Sequence, residues 1–192
     1  MAEKTTFASL ARIAAVLTLI CTLVAALLSG VYALTNETYE NNLLATKQKA
    51  IASLFGLEAV ETEALPTEGF EIEELYRVTQ NGTVLGYCAN VKSAGFGGDV
   101  DMMVATSPEG ALLGVKIVAM SETPVLGSRA GEDEHLSQYK GTFAYGDDEF
   151  LTLGDHVDAI SGATISSKAI HAGVNAALEA LLYHRHTGEA MQ

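Results

Sequence analysis

The stretch IEELYRVTQNGTVLGYCANVK, residues 72–92, decides the fold of the chain. Two runs rich in aromatic and β-branched residues, 72–79 and 83–92, flank Gln80-Asn81-Gly82. Asn-Gly is the preferred pair in a tight type I′ turn, because both central positions need a positive φ. The stretch therefore predicts two antiparallel strands joined by a hairpin.

The following residues extend this hairpin into a larger sheet. VDMMVAT, residues 100–106, and ALLGVKIVAM, residues 111–120, flank the turn sequence SPEG. Four consecutive strands with short turns indicate an antiparallel meander. Upstream, residues 57–70 are acidic and contain proline and glycine, so we predict a loop there.

Helices are predicted on the C-terminal side of the sheet, which makes the domain α+β. A short helix is expected within residues 131–141, ending at Gly141. A longer one is expected from Ser166 to about Tyr183, because its apolar residues recur with helical spacing on one face.

The N-terminal part of the chain predicts a membrane anchor. Residues 13–34 are almost continuously apolar, and these 22 residues would form about 33 Å of helix, enough to cross a hydrocarbon core of about 30 Å. The alternative is a cleaved signal peptide ending near VYA, residues 31–33, but the apolar run is longer than such peptides usually have. A stalk helix is predicted over 35–56, with Gly56 just past its end.

Charge predicts the orientation of this anchor. Lys4 and Arg12 precede the span, whereas residues 35–42 carry no Lys or Arg, so the positive-inside rule places residues 1–12 in the cytoplasm. The remaining chain would lie outside the cell membrane. Residues 35–192 hold 23 acidic and nine basic side chains, which disfavours nucleic acid as a partner, although the same charge also suits simple solubility.

Metal sites receive little support from the sequence. Cys21 lies in the predicted span and Cys88 in a predicted strand, and neither belongs to a CxxC pair, so no iron–sulfur or structural zinc site is expected. The acidic residues Asp147–Glu149 could bind a cation. A solvated turn is the better interpretation, because a calcium loop needs more ligands at fixed spacing.

The stretch DAISGATISS, residues 158–167, is the strongest candidate for a functional site. Gly162 permits a tight turn, Ala163 is small, and Thr164 presents a hydroxyl just before the helix expected near Ser166. The hydroxyl could cap the helix. Alternatively, Thr164 could hold a phosphate at the helix N-terminus, by a hydrogen bond or as an ester.

DAISGAT resembles the Asp-x-x-Ser/Thr-Gly-Ala-Thr signature of a family of FMN-binding domains. The family includes the G subunit of Rnf complexes and the C subunit of sodium-pumping NADH:quinone reductases. The resemblance implies that a separate flavin transferase esterifies Thr164 to the phosphate of FMN. The remaining signature positions are matched by Asp158, Ser161, Gly162 and Ala163.

Two more segments are similar to the same family. Residues 121–141 resemble its Glu-Thr-Pro-Gly-Leu-Gly loop and following acidic helix, although Val125 stands where the family has glycine. Residues 95–104, GFGGDVDMMV, resemble its Gly-Tyr-Gly-Gly segment, whose glycines would let backbone approach a planar ring. The additional cofactor-binding candidates are Glu122, Thr123, Leu126, Gly127, Gly95 and Gly97, with Pro124 also matching the loop.

The resemblance implies an electron-transfer subunit more than a complete enzyme. Residues 57–192 would form the FMN-binding domain, and the partners would be other membrane and redox subunits of an ion-translocating ferredoxin:NAD oxidoreductase, including a second flavin-bearing subunit. The reductase C subunit and a free-standing tethered flavin carrier are alternatives. A different class, an anchored structural or ligand-binding domain without flavin, would use Thr164 only as a helix cap.

Overall fold

The computed structural model describes residues 2–142 and 150–189, so the predicted turn at Asp147–Glu149 lies outside the described residues. The chain divides into two compact units, Met1–Leu44 and Ala45–Gln192. The second unit holds the sheet and the other helices. The α+β fold expected from the sequence is therefore confirmed.

One helix, α1, occupies Ala2–Leu54. From Leu10 onward it is long and apolar enough to cross a membrane. The predicted span and stalk are thus parts of the same helix, and the boundary between them stays a prediction. Gly56 follows the helix with φ 68°, as expected for a glycine just past a helix end.

The sheet has five antiparallel strands in sequential order. The predicted four-strand meander is confirmed, and Asn81 and Gly82 both have positive φ in the hairpin turn. The strands are β1 Glu61–Leu65, β2 Glu74–Gln80, β3 Thr83–Ala94, β4 Asp99–Thr106 and β5 Leu112–Met120.

Strand β1 lies in the segment predicted as a loop, so that prediction was wrong. Its sequence, ETEAL, has no alternating apolar face, and its first four residues are exposed. The strand exists because its backbone pairs with β2 from Glu61 opposite Thr79 to Leu65 opposite Leu75. Acidic side chains on such an open edge discourage pairing with another chain.

Helices cover both faces of the sheet. On one face, helix α3, Thr164–Glu189, buries Ile170, Val174 and Leu178 in the main hydrophobic core with residues of β3 and β4. On the other face, Ile51 near the end of α1 packs in a second cluster with Val78 and other strand residues. A short segment between β5 and α3 contains a 3₁₀ turn, Gly127–Gly131, helix α2, Asp133–Leu136, and a second 3₁₀ turn, Ser137–Tyr139.

A half-buried ion pair joins the last part of α1 to β2. Lys47 Nζ lies 2.8 Å from Glu74 Oε2, and the Tyr76 hydroxyl donates to the same oxygen at 2.9 Å. Burial raises the pKa of Glu74, but the hydrogen bonds from Lys47 and Tyr76 outweigh it, so the pKa lies below its ordinary value. The native carboxylate is therefore stabilised as the anion.

We expect Lys47→Met to lower the free energy of unfolding by about 1 kcal/mol at neutral pH, since it removes a charged donor while keeping the aliphatic stem. The pKa of Glu74 is lowered in the folded state, so the pair stabilises above the unfolded pKa and loses its effect as the pH falls. Thermal unfolding of both chains in detergent should show the difference shrinking in acid. An equal difference at every pH would contradict this role of the pair.

Candidate functional site

Three segments distant in sequence meet at one end of the sheet. The turn 95–98 joins β3 to β4, and the loop 121–127 leaves β5 at the same end because β4 and β5 are antiparallel. With the start of α3 they enclose a cavity of about 370 Å³, a size typical of small-molecule sites. Its lining consists of Phe96, Glu122, Thr123, Leu126, Gly127, Gly162, Ala163, Thr164, Ile165 and Ser166.

Glu122 ties the first two of these segments together. Its Oε1 accepts a hydrogen bond from the Phe96 N–H at 2.6 Å, and its Oε2 accepts one from the Gly97 N–H at 3.3 Å. The residue is only 9% exposed. A buried carboxylate with two backbone donors holds the turn in one conformation.

The glycines of the turn serve this contact. A Cβ at Gly95 would overlap the Glu122 carboxylate, and one at Gly97 would overlap the Ser121 carbonyl oxygen. The described lining of the cavity includes Phe96 from this turn but neither Gly95 nor Gly97. Their missing side chains therefore let the turn lie against the 121–127 loop. The predicted approach of their backbone to a planar ring stays a prediction.

Gly127 brings the third segment into contact. A Cβ there would lie 2.6 Å from Glu122 Oε2 and 3.0 Å from Ser166 Oγ. Both distances are too short for an ordinary side chain. The absence of a side chain at this position therefore lets the loop pack closely against Glu122 and the first turn of α3.

Val125 has a left-handed backbone conformation at the position where the family signature has glycine. Its φ is 69°, a left-handed value that is strongly disfavoured for a β-branched residue. The N–H of Val125 donates to Ser128 Oγ at 3.0 Å, which holds the turn despite the strain. Val125 therefore places backbone strain in the loop at this position.

We expect Val125→Gly to raise the free energy of unfolding by about 1 kcal/mol, because relief of about 1–2 kcal/mol of left-handed strain exceeds the entropy cost of glycine. Val125→Ala is the matched control, since alanine retains a Cβ and should gain less. Thermal unfolding of wild type, Val125→Gly and Val125→Ala measures the order of their stabilities. A glycine variant less stable than wild type would show that Val125 is not strained.

Thr164 is the first residue of α3. The Ser167 N–H donates to the Ala163 carbonyl at 2.9 Å, which is the first turn of the helix, so the helix begins two residues earlier than predicted. Thr164 is exposed and lines the cavity. Within residues 2–142 and 150–189 its hydroxyl makes no hydrogen bond, so it does not cap the helix.

Of the other signature residues, Gly162 and Ala163 line the cavity, whereas Asp158 and Ser161 do not. Gly162 lines the cavity with φ 84°, and Ala163 is buried beside it. Asp158 and Ser161 are exposed and are not among the described lining residues. The Asp158 N–H instead donates to Gln138 Oε1 at 3.0 Å, which fixes the start of the loop from outside the cavity.

Three lining residues were not predicted from the sequence. Phe96 is 70% exposed at the cavity, Ile165 is also exposed, and Ser166 is buried. An aromatic residue within GFGG was a signal for Phe96, because glycines on both sides leave the ring free to contact a ligand. Ile165 and Ser166 could be predicted as lining residues only once the first residue of α3 was known.

The fold and cavity agree with the comparisons to known proteins. Residues 95–179 match the FMN-binding domain family, and this range contains all three segments around the cavity. This part of the chain is therefore similar in sequence to FMN-binding domains.

The similar curated proteins are G subunits of ion-translocating complexes. Over 141 residues the chain is 32% identical to the G subunit of the Na⁺-translocating ferredoxin:NAD⁺ oxidoreductase complex of Acetobacterium woodii, covering 67% of this chain and 60% of that protein. It is also 32% identical over 112 residues to the G subunit of the proton-translocating complex of Clostridium ljungdahlii, covering 56% and 59%. The G subunit of a Haemophilus influenzae ion-translocating oxidoreductase complex is 24% identical, with 79% of both chains covered. The chain thus spans about 60% of the first two relatives.

Solved structures share the fold. The C subunit of the Na⁺-translocating NADH-quinone reductase from Parabacteroides distasonis has a TM-score of 0.57 at 16% identity, covering 77% of this chain and 94% of that chain. NqrC of Shewanella oneidensis has a TM-score of 0.52 at 20% identity, covering 66% and 69%. Together, the apolar helix and the translocating relatives support a membrane-anchored protein.

Proposed function

We propose that the chain is the G subunit of an Rnf-type ferredoxin:NAD oxidoreductase complex and transfers electrons through FMN esterified to Thr164. The main support for this proposal is the position of Thr164 on the wall of the cavity. Its hydroxyl is exposed and makes no hydrogen bond with the described residues. Similarity to two G subunits at 32% identity supports the assembly.

The residues present fit this cofactor. Phe96, Leu126 and Ile165 give the cavity exposed apolar side chains that could contact a planar ring. Thr164 begins the first turn of α3. The leading N–H groups of a helix have no intrahelical acceptors, so they favour a phosphate. Gly127 lets the loop that lines the cavity pack directly against Glu122 and Ser166, because a Cβ there would lie too close to both.

Once bound, the isoalloxazine would supply the electron-transfer chemistry. The protein supplies attachment and position. Thr164 Oγ1 would carry the phosphorus, with a flavin transferase needed to form the ester. An ester bond also prevents loss of the cofactor by dilution, which matters for a domain outside the cell. No acid–base pair is required for this role.

The anchor sets the proposed location. Residues 13–34 would span the cell membrane, residues 35–56 would form the stalk, and Lys4 and Arg12 would keep the N-terminus cytoplasmic. A C-terminal alkaline phosphatase fusion, active only outside the cytoplasm, tests this orientation. An inactive fusion together with an active cytoplasmic reporter at the same position would contradict it.

The proposed partners are other membrane and redox subunits, including a second flavin-bearing one. Purification of the full chain from its native membrane should recover these subunits with flavin absorbance that a reductant bleaches. Recovery with NADH:quinone reductase subunits would favour the reductase assignment instead. Recovery alone would indicate a free-standing carrier, and a colourless chain would indicate a domain without flavin.

A further inference from the structure

Gln138 connects the signature loop to a buried histidine. Its Oε1 accepts a hydrogen bond from the Asp158 N–H at 3.0 Å, twenty residues away. Its Nε2 lies 3.1 Å from His135 Nδ1. Gln138 is half-buried and His135 is buried, whereas Asp158 is exposed.

These two contacts determine the orientation of the amide and the tautomer of the imidazole. A backbone N–H can only donate, so the atom of Gln138 that faces Asp158 must be the oxygen. The amide nitrogen therefore faces His135 and donates, which requires His135 Nδ1 to be the acceptor. The imidazole is then neutral, with its proton on Nε2.

We propose that Gln138 is a positioning residue that holds the start of the signature loop for flavin attachment at Thr164, and that it does so while His135 is the neutral Nε2–H tautomer. This inference rests on the proposed function. Gln138 lies in the second 3₁₀ turn, outside the cavity, and acts through the Asp158 backbone.

The rest of the loop is held independently. The Ile160 N–H donates to Ser167 Oγ at 3.1 Å, and Ser167 is fully buried. The Ala163 N–H donates to the Ile160 carbonyl at 3.0 Å. Among the described residues, the Asp158 N–H relies on Gln138 for its hydrogen bond.

Protonation of His135 would oppose this arrangement. Both ring nitrogens would then be donors, and Nδ1–H would face the amide N–H₂ of Gln138. Rotating the amide would satisfy His135 but would turn N–H₂ toward the Asp158 N–H. In either orientation one hydrogen bond is lost.

The surroundings keep His135 neutral near pH 7. Burial lowers the pKa of His135, so the folded protein binds the proton less readily than an unfolded chain does. Both hydrogen bonds of Gln138 are therefore intact at neutral pH, and one of them is lost as the pH falls below the ordinary imidazole range. Tyr139 lies edge-on to the ring with His171 beyond it, and charged groups share a cavity of about 160 Å³ with His135. These charged groups are Arg129, Glu132 and Glu134.

The test uses the full chain in detergent micelles, made without a flavin transferase. Amide exchange of Asp158 and the ¹⁵N shifts of His135 are followed by NMR against pH. We expect a protected Asp158 amide and an Nε2–H imidazole at pH 7, with protection about tenfold lower in Gln138→Leu, the factor for a hydrogen bond of about 1.4 kcal/mol. Unchanged protection in Gln138→Leu, or an Nδ1–H tautomer in wild type, would overturn the proposal.

Gln138→Glu is the matched variant. One carboxylate oxygen can accept from Asp158 and the other from a protonated His135, so protection should extend to lower pH than in wild type. With the transferase added, the initial rate of flavin attachment should fall in Gln138→Leu and follow the same pH shift in Gln138→Glu. An equal rate of flavin attachment in wild type, Gln138→Leu and Gln138→Glu would reject the positioning role. A chain with the expected NMR signals that never receives flavin would reject only the proposed function.

Discussion

Thr164→Val is expected to remove all flavin that survives denaturation. Valine replaces the hydroxyl with a methyl group of similar size, so the cavity keeps its shape while the oxygen that would bond to phosphorus is lost. Each chain is produced with a flavin transferase, denatured and separated on a gel. Ultraviolet-excited fluorescence should follow the wild-type band and be absent from the variant.

Thr164→Ser is the matched control, because it restores an oxygen at the same position. It should retain fluorescence, at a lower level if the transferase needs the methyl group. Equal fluorescence in wild type and Thr164→Val would show that another residue carries the flavin. Reversible binding would instead appear as native yellow colour that leaves the chain on denaturation.

Glu122→Leu is expected to cause the largest loss of stability among these variants, about 3 kcal/mol. The change removes the acceptor of the Phe96 and Gly97 N–H groups, and hydrogen bonds to a charged group contribute about 1.5–3 kcal/mol each. The expected loss of about 3 kcal/mol is at the lower end of the range for two such bonds, because the Gly97 contact is long, at 3.3 Å. Thermal unfolding in detergent should show a midpoint roughly 10 °C lower.

Glu122→Gln separates hydrogen bonding from side-chain volume. Its single amide oxygen can still accept from one N–H, so about half of the loss should remain. Flavin attachment should decrease in the same order, because the turn 95–98 would no longer be held at the cavity. Full stability in Glu122→Leu would mean that the turn does not depend on the carboxylate.

The sheet could be predicted because its strands carry local signals. Asn81-Gly82 specifies the hairpin, and apolar runs with short turns specify the next two strands. Strand β1 could not be predicted, since ETEAL has no buried face and its order comes from backbone pairing with β2. The helix start at Thr164 was missed by two residues because its position depends on the backbone of Ala163.

The cavity was only partly predictable for a different reason. Motifs drew attention to Glu122, Gly127 and Thr164, and the structure brings these together around one space. The motifs could not show that Gly95 and Gly97 face Glu122 and the Ser121 carbonyl, or that Asp158 is held by Gln138. Such distinctions depend on which side of a loop faces the ligand, and that is set by packing between distant segments.

The bond between Thr164 and a flavin phosphate is tested most directly by intact-mass measurement of the wild-type chain made with a flavin transferase, followed by fragmentation of the peptide containing residues 158–167. The account predicts an added mass of one flavin mononucleotide less one water, located on Thr164. A chain of plain polypeptide mass, or the same addition on a different residue, would contradict it.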